Sequence, residues 1–292
     1  MAWQQAPAKI NLALHVTGRR ADGYHQLDSI VVFASRGAAD RVRVEPAEDF
    51  SLALSGPFAA GLEADESNLV LRAARALRAR WPRLFPPVAI HLEKNLPLAS
   101  GIGGGSADAA AVLNAMLEMA ASPPPAEQVR KLALDLGADV PVCLSGRACR
   151  MRGIGEIVEP LALPAPLPAL LVNPGVAVST AEVFTALGLP PGSAAFSPLP
   201  EHLPEGDMEA LIGTLRNARN DLQPPATAIQ PAIARCLAEL EKLPGVLMAR
   251  MSGSGATCFA LMKDRAAAAM AARALSAARP NWWIADCELG DG

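Results

Sequence analysis

The sequence has few aromatic residues. They make up 4% of the 292 positions, and Tyr24 is the only tyrosine. Histidines number 4, and the 5 cysteines, Cys143, Cys149, Cys236, Cys258 and Cys287, are scattered with no CxxC pair and no cysteine–histidine cluster. This excludes a zinc framework or a redox pair. An odd number of thiols without a secretory context suits a reducing cytoplasm. Neither sign of charge dominates: 26 basic residues against 29 acidic ones leave a net charge of -3. The broad basic surface of a general nucleic-acid binder is missing, although a local patch can still bind phosphate. Long apolar runs are missing too. The greasy segment LALPAPLPALLV, from Leu161 to Val172, carries three prolines and is too short to cross a bilayer. At the N-terminus, MAWQQAPAKINLALHV has no basic leader, and Lys9 and Asn11 interrupt its apolar residues. It reads as neither signal peptide nor anchor. The expectation is a cytoplasmic protein with no membrane segment and no nucleic-acid partner. No obligate protein partner is evident.

What the sequence does contain is apolar bulk. Half of the chain (51%) is hydrophobic, enough for a large core in one or two domains of roughly 100–200 residues each. Strands are expected at Ala8–Val16, Ile30–Phe33, Arg41–Val44 and Phe50–Leu54, close together with short connections. That pattern favours an antiparallel or mixed sheet over regular βαβ units. NLVLRAARALRARW, from Asn68 to Trp81, is amphipathic and reads as a helix capped by Asp65 or Ser67. Val88–Leu92 is a further short strand. Helices follow at Ser106–Met119 and Ala126–Leu136, with a turn at Gly137–Pro141. The proline-rich crossing from Pro160 to Pro168 suggests a boundary, dividing the chain into domains 1–159 and 160–292. Beyond it, helices are expected near Thr180–Leu187, Met208–Leu215, Ile229–Leu240 and Ala266–Ala278. Strands are expected at Val246–Ala249, Cys258–Met262 and Trp282–Glu288.

The densest motif is PLASGIGGGSADAAAVLNAML, from Pro97 to Leu117. Glycines lack a Cβ, so they permit positive φ and close approach of a ligand to backbone N–H groups. The first turn of the following helix adds unpaired donors and partial positive charge. Ser106 can cap that helix or lend its hydroxyl to a ligand. The stretch lacks the lysine of GxxxxGK[ST] and the strand and acidic residue expected of a dinucleotide site. By glycine content alone, a phosphate cradle and a structural turn both remain open.

The whole chain narrows the choice. PLASGIGGGSADAA resembles the central signature of the GHMP superfamily of small-molecule kinases, which includes galactokinase, homoserine kinase, mevalonate kinase and phosphomevalonate kinase. AKINLALHVTGRRADGYHQLDSI, DESNLVLRAA, LALDLGADVPVCLSG and ARMSGSGATCFAL extend the likeness over nearly the full length, in order. AKINL beside GYHQL is similar to the branch of that superfamily acting on 4-diphosphocytidyl-2-C-methyl-D-erythritol.

The resemblance implies an α+β GHMP kinase fold. Its N-terminal ATP-binding domain would be like ribosomal protein S5 domain 2, and its C-terminal domain ferredoxin-like. It also implies transfer of the ATP γ-phosphate to the 2-hydroxyl of that cytidyl diphosphate substrate, in the non-mevalonate route to isoprenoid precursors, with Mg²⁺. Asp139 matches the catalytic aspartate, suited to accept the hydroxyl proton. Lys9 matches the second catalytic position, suited to neutralise charge on the transferring phosphoryl. ATP would be held by Asn68, which could equally cap its helix, and by Pro97, Leu98, Ala99, Ser100, Gly101, Ile102, Gly103, Gly104, Gly105, Ser106 and Ala107. Tyr24 and His25 match a cytosine-recognition pair. Asn11, Asp139, Thr180 and Phe184 fall at further substrate-side positions, and Gly253, Ser254 and Gly255 form the late glycine motif. The metal ligands are left unassigned. One departure stands out: many relatives carry serine and asparagine where this chain has Ala107 and Asp108. Asp108 brings negative charge close to the presumed phosphates, to be balanced by a metal, a base or orientation away from ATP.

Overall fold

The computed structural model describes residues 2–35, 37–204 and 206–292. In chain order the elements begin with strands β1 (Gln4–Pro7), β2 (Lys9–Arg19), β3 (His25–Ala34), β4 (Ala39–Pro46) and β5 (Ser51–Ser55). Helix α1 (Leu69–Arg80), strand β6 (Val88–Glu93) and helices α2 (Gly104–Met119), α3 (Ala126–Leu136) and α4 (Val140–Ser145) follow. Then come β7 (Cys149–Gly153), β8 (Ile157–Pro160), β9 (Leu167–Asn173), α5 (Thr180–Ala186), α6 (Met208–Asn217), α7 (Gln223–Ile229) and α8 (Pro231–Glu241). The chain ends with β10 (Val246–Met251), β11 (Cys258–Met262), α9 (Arg265–Ala278) and β12 (Trp283–Gly290).

These elements form two compact units that are not sequential halves. The first comprises residues 1–8, 39–98 and 103–146; the second comprises 9–38, 99–102 and 147–292. In the first unit the sheet order is β1-β4-β6-β5, with β5 parallel to β6 and the other pairs antiparallel. Alternation decides which face is covered. Asp40, Val42 and Val44 of β4 point inward, as do Val88, Ile90 and Leu92 of β6. Helix α2 packs on β1 and β4 and against α1 and α4. Its side chains from Ala107 to Leu113 are all buried. A helix built so largely of alanine and other apolar residues has no solvent face to offer and becomes the core of its unit.

The second unit holds the order β10-β11-β9-β12-β3-β7-β8, with β2 paired to β3. Every pairing is antiparallel. Lys9 to Val16 of β2 are all buried, so its partial alternation does not mark a solvent face. Leu170, Val172, Cys258, Ala260 and Met262 share one core with Ile233, Leu237 and Leu240 of α8 and Ala268, Ala271 and Leu275 of α9.

Differences from the sequence expectation have local causes. The cap of α1 is Asn68, whose Oδ1 accepts from Val70 N at 3.1 Å. Asp65 instead closes a turn by accepting from Ser67 N and Oγ. The turn expected at Gly137–Pro141 ends sooner, because Val140–Ser145 is helical with Pro141 in its first turn. Proline is tolerated there, since that N–H has no helical acceptor. The same reasoning explains α7, which starts across Pro224 and Pro225.

A buried ion pair ties a long loop to the second unit's sheet. Arg150 of β7 donates to both carboxylate oxygens of Asp28 on β3, at 2.8 and 2.7 Å. It also donates to the carbonyls of Leu199, Pro200 and Glu201. Arg150→Met would leave the Asp28 carboxylate buried without its counter-charge and is expected to cost about 3–5 kcal/mol in urea unfolding. A loss below about 1 kcal/mol would mean the pair is not what holds this loop.

Candidate active site

In the first unit the glycine-rich stretch enters α2. Gly103, the N-cap, sits at φ 63°, and the first turn has neither a side-chain cap nor an acidic residue. The leading N–H groups of a helix have no intrahelical acceptor, so this turn presents donors and the positive end of the helix dipole together. The glycines around it differ in their reasons for being glycine. A Cβ on Gly104 would lie 3.1 Å from Lys94 Nζ, whereas a Cβ on Gly105 would meet nothing within 4 Å. Gly105 is exposed, so nothing among the described residues requires its side to be bare.

Asp139 stands at the N-cap of α4, where its side chain makes no capping hydrogen bond. Asn68 is nine-tenths buried and engaged at both polar ends, its Nδ2 donating to Glu63 O at 3.0 Å. Asp108 is balanced by a base: Lys94 Nζ donates to its Oδ2 at 2.6 Å and also binds Asp40. Sequence reasoning singled out neither Lys94 nor Asp40, although alternation places Asp40 on the inward face of β4 and Lys94, just past β6, in step with that strand's inward residues. Among the described residues no cluster of three or more His, Cys, Asp or Glu side chains is placed to hold a metal ion.

In the second unit three distant segments converge. The N–H of Lys9, which is 4% exposed, donates to Ile102 O at 2.9 Å. Asn11 N donates to Ser252 Oγ at 3.1 Å, and that hydroxyl donates to Gly101 O at 3.1 Å. Thr257 N donates to Ser100 O at 3.0 Å. A Cβ on Gly101 would come within 2.5 Å of Ser252 O and 2.7 Å of Gly255 N, and its φ is +73°. The late glycine motif is therefore a fitted partner of residues 100–102. Ser252, at the centre of this junction, was missed in the sequence because the flanking glycines drew attention instead. The amide of Asn11 is buried, with Nδ2 donating to Ser29 Oγ at 2.8 Å and Oδ1 lacking a hydrogen-bond partner.

The same unit carries an aromatic corner. The rings of His25 and Phe184 lie 4.7 Å apart at 32°. His25 Nε2 is buried without a partner. Burial, and then the nearby Arg19 charge, lower the pKa of His25 below the ordinary imidazole value. The ring is thus neutral at pH 7, with one nitrogen donating and one accepting. Tyr24 is 62% exposed. Thr180 Oγ1 and Ser254 Oγ are hydrogen-bonded at 2.7 Å, linking the start of α5 to the late glycine motif.

Residues 68–147 match the GHMP kinases N terminal domain and residues 201–281 match the GHMP kinases C terminal. A 4-diphosphocytidyl-2-C-methyl-D-erythritol kinase of Cereibacter sphaeroides (strain ATCC 17025 / ATH 2.4.3) is 56% identical, over 96% of this chain and 96% of its own. The chain belongs to the 4-diphosphocytidyl-2-C-methyl-D-erythritol kinase family.

A family member from Paracoccus denitrificans is 53% identical over 97% of this chain and 94% of its own. The crystal structure of a 4-(cytidine 5'-diphospho)-2C-methyl-D-erythritol kinase superposes with a TM-score of 0.78 at 36% identity, covering 100% of both chains. A homoserine kinase from Cytophaga hutchinsonii superposes with a TM-score of 0.70 at 17% identity, over 98% of this chain and 94% of its own. That likeness speaks to the fold alone. The α+β architecture of this family member is the GHMP kinase fold.

The glycines of this family member separate into packing and open positions, and stability measurements distinguish them. Gly101→Ala forces a Cβ against backbone at positive φ and is expected to cost about 2 kcal/mol. Gly105→Ala is expected to be neutral or to add up to about 1 kcal/mol, because alanine favours helix. Equal losses in the two variants would contradict this division.

Proposed function

We propose that the chain transfers the γ-phosphoryl group of ATP to the 2-hydroxyl of 4-diphosphocytidyl-2-C-methyl-D-erythritol, giving the 2-phosphate and ADP in the non-mevalonate route to isoprenoid precursors. The observation that carries the ATP end is the first turn of α2. Its N-cap makes no side-chain hydrogen bond, it holds no acidic residue, and it is open at Gly105. Such a turn suits a polyphosphate, with Pro97 to Ala107 forming the loop around it. Support for the acceptor comes from the neutral His25 ring. Its unpartnered Nε2 can meet the polar edge of a cytosine while Tyr24 and Phe184 offer ring faces.

In this reading the substrate hydroxyl oxygen forms a bond to the γ-phosphorus as the bond from that phosphorus to the β,γ-bridging oxygen breaks. The hydroxyl proton passes to the Asp139 carboxylate. Lys9 supplies positive charge to the transferring group; as a nearly buried ammonium on β2 it loses less to solvent screening than a surface lysine would. Asn11 Oδ1 is an acceptor available to a substrate hydroxyl, and Thr180 borders the late glycine motif of Gly253, Ser254 and Gly255. Mg²⁺ is the metal this chemistry uses, and it neutralises phosphate charge. It would come with ATP, held mainly by the phosphates and water.

A coupled assay with ATP and Mg²⁺ tests the acceptor: turnover is expected with the cytidyl diphosphate substrate and not with homoserine or mevalonate. Turnover of either alternative, with none of the cytidyl compound, would overturn the proposal. Asp139→Asn is expected to lower kcat by about 100-fold or more while ATP affinity is retained. Unchanged kcat would remove Asp139 from the role of base.

A further inference from the structure

Beneath the first turn of α2 lies a group of charges that the reaction does not use. Asp40, Lys94 and Asp108 are 0%, 2% and 2% exposed. Lys94 leaves the end of β6 and binds Asp40 of β4 on one side and Asp108 of α2 on the other. Asp40 Oδ1 accepts from the N–H groups of Asn95 and Leu96, at 2.5 and 2.8 Å. That carboxylate therefore fixes the chain leaving β6 as well as the ammonium. Asp108 Oδ1, by contrast, is buried with no hydrogen-bond partner. The group holds two carboxylates and one ammonium, so with every member ionised it carries one uncompensated negative charge in the protein interior. The first helical residue closes directly over it, with only the missing Cβ of Gly104 making room for Lys94 Nζ.

We infer that the Asp40–Lys94–Asp108 cluster is a positioning device for ATP, in which Lys94 sets the first turn of α2 against the sheet and the charge state of Asp108 tunes how well that turn accepts a triphosphate. This rests on reading Pro97 to Ala107 as the ATP loop. Lys94 touches no reacting atom in this scheme; it acts through the backbone of Gly104. A neutral Asp108 leaves the cluster balanced beneath the turn. An ionised one opposes the helix dipole within a few ångströms of the N–H groups that face the phosphates.

The environment of Asp108 favours the neutral form. Burial pushes its carboxyl up to about 8, with Lys94 opposing the rise and Asp40 adding to it. Of the other charges on elements against α2, Arg41 of β4 pairs with Glu93 and Arg43 with Glu45. β1 has no titratable side chain, and α4 contributes Cys143, with Asp139 at its cap. On α1, Arg72, Arg75 and Arg80 are exposed and Arg78 donates to Phe85 O. With the folded value above the ordinary carboxylate value, the native state keeps a proton that the unfolded chain releases. Stability therefore falls as pH rises from 3.8 to about 8.

The test uses the full chain with Mg²⁺ and the non-hydrolysable ATP analogue AMP-PNP, measured by calorimetry alongside KM for ATP and for the acceptor. Lys94→Met is expected to weaken AMP-PNP binding about tenfold while the acceptor KM moves less than about twofold. Asp108→Asn keeps the ammonium and the shape, so it decides the matter even where Lys94→Met folds poorly. Wild-type affinity for AMP-PNP is expected to fall about threefold to tenfold between about pH 7 and pH 9, and that of Asp108→Asn to stay level. Superimposable pH profiles for the two proteins would overturn the inference. So would a Lys94→Met enzyme that melts earlier yet binds AMP-PNP and acceptor as the wild type does. Gly105→Val serves as the control for the ATP loop itself. Weakened binding in Gly105→Val, with Lys94→Met and Asp108→Asn behaving as wild type, would overturn the positioning role alone. Wild-type binding in all three would overturn the loop reading together with it.

Discussion

Between Gly101 and Gly105 the backbone runs closer to its surroundings than a side chain would allow. In the second unit Gly101 lies against the carbonyl of Ser252 and the amide of Gly255; in the first, Gly104 covers a buried ammonium. Both approaches depend on a missing Cβ, and both fix the backbone rather than loosen it. Glycine here gives up its usual conformational freedom in return for contact. Gly105 by contrast is open, at the head of a helix whose N-cap, Gly103, makes no side-chain hydrogen bond. The contrast among neighbouring glycines separates packed from open positions at single-residue resolution.

The long-range hydrogen bonds follow from the same requirement. Ser252 joins the start of β2 to Gly101, and Thr257 holds Ser100. Residues about 90 and 150 positions apart in sequence are thereby held as one rigid junction, with Lys9 anchored by its own N–H to Ile102. An enzyme that moves a phosphoryl group relies chiefly on position and charge. The carboxylate at the cap of α4 and the ammonium on β2 are each fixed by regular secondary structure. His25 is neutral and stacked on Phe184, so it offers hydrogen-bonding nitrogens without adding a charge.

Much of this was legible in the sequence. Helix α3 begins and ends where its pattern said, and α1, α2 and α9 differ by a residue or two. The motif order AKINL, GYHQL, the glycine stretch, GADVPVCLSG and MSGSGAT was enough to name the family. The losses came where one residue type has two meanings. Pro141 was read as the end of a turn, yet it lies in the first turn of a helix. Lys94 and Asp40 were not singled out, although Lys94 follows the buried Val88, Ile90 and Leu92 of β6 in the same alternation and Asp40 shares one face of β4 with Val42 and Val44. The balancing of Asp108 needed three dimensions, because its partners come from two other strands. The chain's division into units was also hidden, since residues 9–38 pair with strands that lie far downstream.

The central claim is that the first turn of α2 is where ATP phosphates bind. Amide-resolved NMR of the full chain, labelled at glycine and serine and titrated with AMP-PNP and Mg²⁺, tests it most directly. The amides of Gly104, Gly105 and Ser106 are expected to show the largest shifts, while those of Gly188 and Gly192, in the exposed loop after α5, stay in place. Saturating AMP-PNP that leaves the α2 amides unmoved would contradict the claim.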